Sequence, residues 1–131
     1  MTVRLLLDTN AFLWAVRQPT KLSDRARALI KDTGNQLVVS AVVPWELAIK
    51  HRLGKLPEAA PVLADYAGTL GRLAATSLPI THSHTLGAGN LPWSHKDPFD
   101  RLLAAVATHE NLPLVSADHV FHDAPGVTWI W

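Results

Sequence analysis

The chain has 131 residues, 48% of them hydrophobic, and 12 Lys and Arg against 11 Asp and Glu give a formal net charge of +1. That length suits one domain spanning residues 1–131, with roughly two-thirds of the unfolded surface buried. With no cysteine, disulfides, iron–sulfur clusters, zinc–thiolate sites and cysteine nucleophiles are excluded, and the small net charge does not by itself announce a nucleic-acid binder.

Residues 3–7 form an apolar run that reads as a buried strand ending at Asp8. Asp8 and Asn10 interrupt the run, which argues against a signal peptide. Ala11 to Val16 form a short helical stretch, with Asn10 placed as its N-cap. Ser23 caps the next helix, whose Ala26, Leu29 and Ile30 follow i, i+3, i+4 spacing. A second strand covers about 36–41. Pro44 suits the first turn of a helix running to about Leu53, with Gly54 as its stop. Pro61 opens a helix through about Leu73, a third strand follows at 75–78, and Ser83 to Gly89 form another short helix. Pro98 opens a helix to about His109, and Asn111-Leu112-Pro113 breaks it. The last strands lie at about 113–116 and 127–131. Trp129 and Trp131 share one side of the final strand and need cover, from ordinary core packing or from a partner. Strands alternating with helices predict an α/β fold, a parallel sheet of about five strands sandwiched by helices. No apolar run approaches the ~20 residues needed to cross a membrane, and a cytoplasmic protein is expected.

Five acids follow or interrupt these apolar runs: Asp8, Glu46, Asp97, Asp100 and Asp118. The carboxyl ends of parallel strands lie along one edge, where open α/β sheets place their ligands. Carboxylates gathered there repel one another unless they share a cation. Hard divalent ions take oxygen ligands, and Mg²⁺ commonly combines one or two carboxylates with substrate phosphates. Asp8 has no structural duty if Asn10 caps the first helix. Glu46 has structural work available, in the helix dipole and in an i,i+4 pair with Lys50. Pro98 at the first helical position makes Asp97 the N-cap and Asp100 the third residue, so Asp100 is favoured as the ligand, with Asp97 a cap or an acid behind the ligands. Asp118 follows the 113–116 strand and can equally cap a turn. Thr9 and Asn10 can bond to the carboxylates or to metal-bound water.

Basic residues fall in two groups, Arg17, Lys21, Arg25, Arg27 and Lys31, then Lys50, Arg52 and Lys55. Each is a solvated helix face or a phosphate-neutralising patch. The pairs His82/His84 and His119/His122 lack zinc-site spacing. Trp14, Trp45 and Trp93 can stack on bases, although core packing suits the first two.

At these residues the chain resembles the PIN-domain ribonucleases, in particular the VapC-type toxins of bacterial toxin–antitoxin pairs. The likeness rests on Leu6-Leu7-Asp8-Thr9-Asn10, Trp45-Glu46-Leu47-Ala48-Ile49-Lys50, Leu53-Gly54-Lys55-Leu56, Asp97-Pro98-Phe99-Asp100-Arg101-Leu102-Leu103-Ala104-Ala105 and Ser116-Ala117-Asp118, in this order. The family's four acids fall on Asp8, Glu46, Asp100 and Asp118, and Asp97 is an extra acid beside the third. The resemblance implies Mg²⁺ or Mn²⁺, an RNA substrate, a homodimer and a small antitoxin partner. In that reading Asp8 and Asp100 bind the metal. Glu46 and Asp118 complete the shell or hold the attacking water, and Lys50 and Arg101 grip the RNA backbone. Two rivals stand beside it: an aspartyl phosphohydrolase with Asp8 as nucleophile, although Asn10 occupies the place of its usual second Asp, and a catalytically dead PIN-like binding module.

Overall fold

A computed structural model describes residues 2–131. Five strands, β1 (Arg4–Leu7), β2 (Gln36–Ser40), β3 (Ala75–Leu78), β4 (Leu114–Val115) and β5 (Trp129–Ile130), form one sheet in the order β3-β2-β1-β4-β5. All four pairings are parallel. Strand residues alternate between faces, yet Leu5, Leu6 and Leu7 are each 0% exposed, so both faces of β1 are covered. Helices do the covering, as the continuous apolar runs predict.

Among the described residues the seven α-helices are α1 (Thr9–Arg17), α2 (Asp24–Lys31), α3 (Val42–Arg52), α4 (Ala60–Ala64), α5 (Tyr66–Leu73), α6 (His82–Asn90) and α7 (Pro98–His109). Three sequence expectations change. The helix expected from Pro61 to Leu73 breaks at Asp65, which leaves helical geometry and accepts the Gly68 N–H at 3.0 Å, capping α5. A Cβ at position 68 would lie 2.1 Å from the capping carboxylate, so the cap requires glycine there. The third helix begins at Val42, two residues before Pro44, and ends as expected at Gly54 with φ +75°. Asn10 does not cap α1; Asp8 does, accepting the Ala11 N–H at 2.7 Å.

β1 is central, with β2 on one side and β4 on the other. The chain runs outward from β1 to β3 and then returns across β1 to build β4 and β5. The order therefore reverses between β1 and β4, and a crevice opens beyond their carboxyl ends. Register fixes its walls: Leu7 is paired with Val115, so Asp8 emerges beside Ser116. Among the described residues no helix is long and apolar enough to cross a membrane.

Candidate metal centre

The crevice is a pocket of about 150 Å³ lined by Asp8, Thr9, Asn10, Glu46, Lys50, Asp97, Asp100, Leu103 and Asp118. All five acids singled out from the sequence meet there. Four elements deliver them. Asp8 leaves β1, Glu46 sits in the second turn of α3, Asp97 and Asp100 occupy the start of α7, and Asp118 follows β4.

Asp8 is the most enclosed. One carboxylate oxygen takes the Ala11 N–H and the other takes the Ser116 hydroxyl at 2.5 Å. Burial pushes its pKa from 3.8 to about 6, against the two hydrogen bonds, and the charges of Glu46 and Asp100 push the same way. Glu46 accepts the Thr9 hydroxyl at 2.5 Å on one oxygen and the Lys50 ammonium on the other. Asp100 contacts His95 Nε2 at 2.7 Å. Burial raises its pKa despite that hydrogen bond, with Asp97 and Asp118 adding repulsion. Asp97 caps α7 as its sequence position predicts, accepting the Phe99 and Asp100 N–H groups. Asp118 accepts the Val120 N–H and caps the short 3₁₀ turn at His119–Asp123.

Ser116 and His95 are contacts that spacing did not single out for the site. Ser116 is fully buried; its hydroxyl donates to Asp8 and accepts the Asp118 N–H at 3.0 Å, so one side chain sets the distance between two acids. Its carbonyl takes the Trp129 indole N–H at 2.8 Å. The cue was available, since a serine ending an apolar strand two residues before an acid has to find partners inside. His95 had no such cue.

Arg101 needs correction. Its guanidinium donates to the carbonyls of Ala88, Leu91, Trp93 and His95 at 2.6–3.1 Å. Four of its five N–H donors therefore hold the segment between α6 and α7, which places His95 against Asp100. Arg101→Gln is expected to lower stability by about 2–3 kcal/mol by orphaning those carbonyls, read from denaturant midpoints. A residue that only gripped RNA would leave the midpoint unchanged. Trp45 also departs from expectation: it is 51% exposed and meets the Phe99 ring edge-on at 4.8 Å on the rim formed by α3 and α7. Trp129 is covered within the chain by the rings of His119 and His122, and Trp131 by Trp14.

The donor set suits a hard cation. Oxygen donors surround the pocket, with no sulfur and with carboxylates short of counter-charge. A second cluster, His84, His109 and Glu110, lies elsewhere. There the Thr81 N–H donates to His84 Nδ1 at 3.0 Å, so Nε2 carries the proton and donates to Glu110 at 2.8 Å. A metal on Nε2 would need that proton moved to Nδ1, against the Thr81 N–H. This histidine is the buried N3 partner of the capping box that starts α6 at Thr81.

A parallel sheet with an acid-lined switch point is the arrangement expected of a metal-dependent α/β domain of the PIN type. The PIN domain family model matches residues 5–127, and the chain belongs to that family. A curated relative, Ribonuclease VapC16 of Mycobacterium tuberculosis (strain ATCC 25618 / H37Rv), is 35% identical over 72 residues, which cover 53% of this chain and 51% of that protein. The chain thus spans about half the length of the curated relative it matches. The crystal structure of VapBC2 from Rickettsia felis, bound to a DNA fragment from their promoter, is similar with a TM-score of 0.69 at 20% identity, covering 98% of both chains. VapBC-5 from Mycobacterium tuberculosis, a member of the VapBC family of toxin-antitoxin systems, gives 0.61 at 22% identity, covering 98% of this chain and 96% of that one. At these identities the likeness is one of fold.

Proposed function

We propose that this chain is a metal-dependent endoribonuclease, the toxin of a VapC-type toxin–antitoxin pair, working as one PIN-like domain in the cytoplasm. The observation that carries this is the convergence of Asp8, Glu46, Asp100 and Asp118 on one pocket, with Asp97 beside them. The relative named Ribonuclease VapC16 supports RNA as substrate, and the VapBC neighbours support a small antitoxin as partner. A homodimer is part of the same reading.

Asp8 and Asp100 would hold Mg²⁺ or Mn²⁺. When bound, the cation supplies charge neutralisation and Lewis-acid polarisation at the phosphate. Hydrolysis adds a water oxygen to phosphorus as the ester bond to the leaving ribose oxygen breaks; the water gives up a proton and the leaving oxygen takes one from solvent. Glu46 and Asp118 would complete the cation's oxygen shell or orient that water. Ser116 and the Ala11 N–H fix the Asp8 carboxylate, so the site needs little reorganisation as charge develops. Asn10, Asp97 and Lys50 also line the pocket, and Lys50 would meet the phosphate backbone of a bound RNA. Labelled RNA is expected to be cut with Mg²⁺ or Mn²⁺, left intact in EDTA, and cut again when excess Mg²⁺ is restored. Equal cutting in EDTA would overturn the proposal.

A further inference from the structure

We infer that Lys50 is a built-in counterion of the acidic site, which competes with the divalent cation for Glu46 and has to leave it before the cation can bind there. The inference rests on the metal-dependent reading above and concerns how the site behaves without metal.

Lys50 lies one turn beyond Glu46 on α3, and its ammonium bonds directly to a Glu46 oxygen. Among the described residues lining the pocket it is the one Lys or Arg, facing five carboxylates. Burial by itself pulls its pKa down, but the hydrogen bond and charge of Glu46, with Asp97 and Asp100 behind, hold it above the ordinary value. The group is therefore a full positive charge in the position a cation would neutralise.

Each oxygen of Glu46 has one partner. A second lone pair remains on each, but a cation on either would sit against a proton donor. Beside the Lys50 ammonium it would also meet like charge, so a partner has to give way. Thr9 is only 6% exposed, and its displaced hydroxyl would lose its partner inside the protein. The Lys50 side chain is 42% exposed, on a flexible four-carbon stem that can return the ammonium to water. Lys50 is the partner that yields. Two effects of opposite sign follow. The ammonium relieves repulsion among the acids and so stabilises the metal-free protein. It also weakens metal binding, because a cation drawn to Glu46 is repelled by the ammonium until the Lys50–Glu46 pair opens.

The test titrates Mn²⁺ into RNA-free protein by calorimetry and measures melting in EDTA. Wild type, Lys50→Gln, Lys55→Gln and Asp100→Asn are compared. Lys55 is exposed and outside the pocket, so its substitution removes the same charge without the contact. Lys50→Gln is expected to bind Mn²⁺ about threefold to tenfold more tightly than wild type, yet to melt lower in EDTA. Lys55→Gln should match wild type in both measurements. A residue that merely braced Glu46 would lower both affinity and melting temperature, and one that only touched RNA would change neither. Unchanged or weaker Mn²⁺ binding by Lys50→Gln overturns the inference. If wild type binds and Asp100→Asn does not, the metal reading stands and Lys50→Gln alone decides. If wild type takes up no Mn²⁺, both fall.

Discussion

Asparagine at position 100 is expected to slow Mg²⁺-dependent RNA cleavage by about a hundredfold to a thousandfold, and asparagine at position 8 by a similar factor. The reasoning is electrostatic. Each substitution removes one negative charge from the cation site while keeping shape and volume. In Asp8→Asn the side-chain oxygen can still accept the Ala11 N–H and cap α1, since asparagine ranks with aspartate as a cap. In Asp100→Asn the amide retains an oxygen within reach of His95. Loss of cleavage with an unchanged circular dichroism spectrum would therefore report on charge and not on folding. Single-turnover rates at saturating protein isolate the chemical step. Wild-type rates from both variants would end the assignment of Asp8 and Asp100 as the metal-binding acids of the reaction. An aspartyl phosphohydrolase predicts a different outcome, a trapped phosphoryl-aspartate at Asp8.

The second large effect has the opposite sign for stability. The Asp8 pKa rises from 3.8 to about 6 on folding, chiefly through burial. Below the unfolded value both states hold the proton, and Asp8 does not oppose folding. As pH climbs through the folded value, the native state must ionise a buried acid that the unfolded chain ionises freely, and stability is lost. A shift of that size corresponds to roughly 3 kcal/mol, lost in full above about pH 7. Metal-free Asp8→Asn is therefore expected to melt up to about 10 °C higher than wild type at pH 8, with the gap closing towards pH 4. Mg²⁺ should reverse the order. It stabilises wild type by mass action on the native state, while the Asp8→Asn protein offers it little to bind. Melting curves at pH 4 and pH 8, in EDTA and in Mg²⁺, test the whole pattern. A variant that melts below wild type in EDTA at pH 8 would contradict it.

These two predictions, one for loss of rate and one for gain of stability, share a cause. The site gathers acids that a fold optimised only for stability would keep apart. Asp8, Asp100 and Glu46 each hold partners that offset part of the strain: Ser116, His95, and Lys50 with Thr9. Arg101 belongs to this support, since it anchors the segment that carries His95.

The sequence alone determined the order of strands and helices, the parallel sheet and the five acids. Buried parallel strands are read as unbroken apolar runs, and acids placed just beyond them reach one edge whatever the details of packing. Proline at position 98 likewise fixed Asp97 as a cap, because its missing N–H and preset φ suit only the first turn. Only the tertiary structure decided which partner each acid holds. Asp8 and Ser116 are 108 residues apart, and Thr9 and Glu46 are 37 apart. Such bonds depend on the β1–β4 register and on how α3 and α7 meet at the crevice, which no local pattern encodes. For the same reason Arg101 read as a free cation and Trp45 as core. A side chain's charge and size are written in the chain, but its exposure and its partners arise when distant segments close around it.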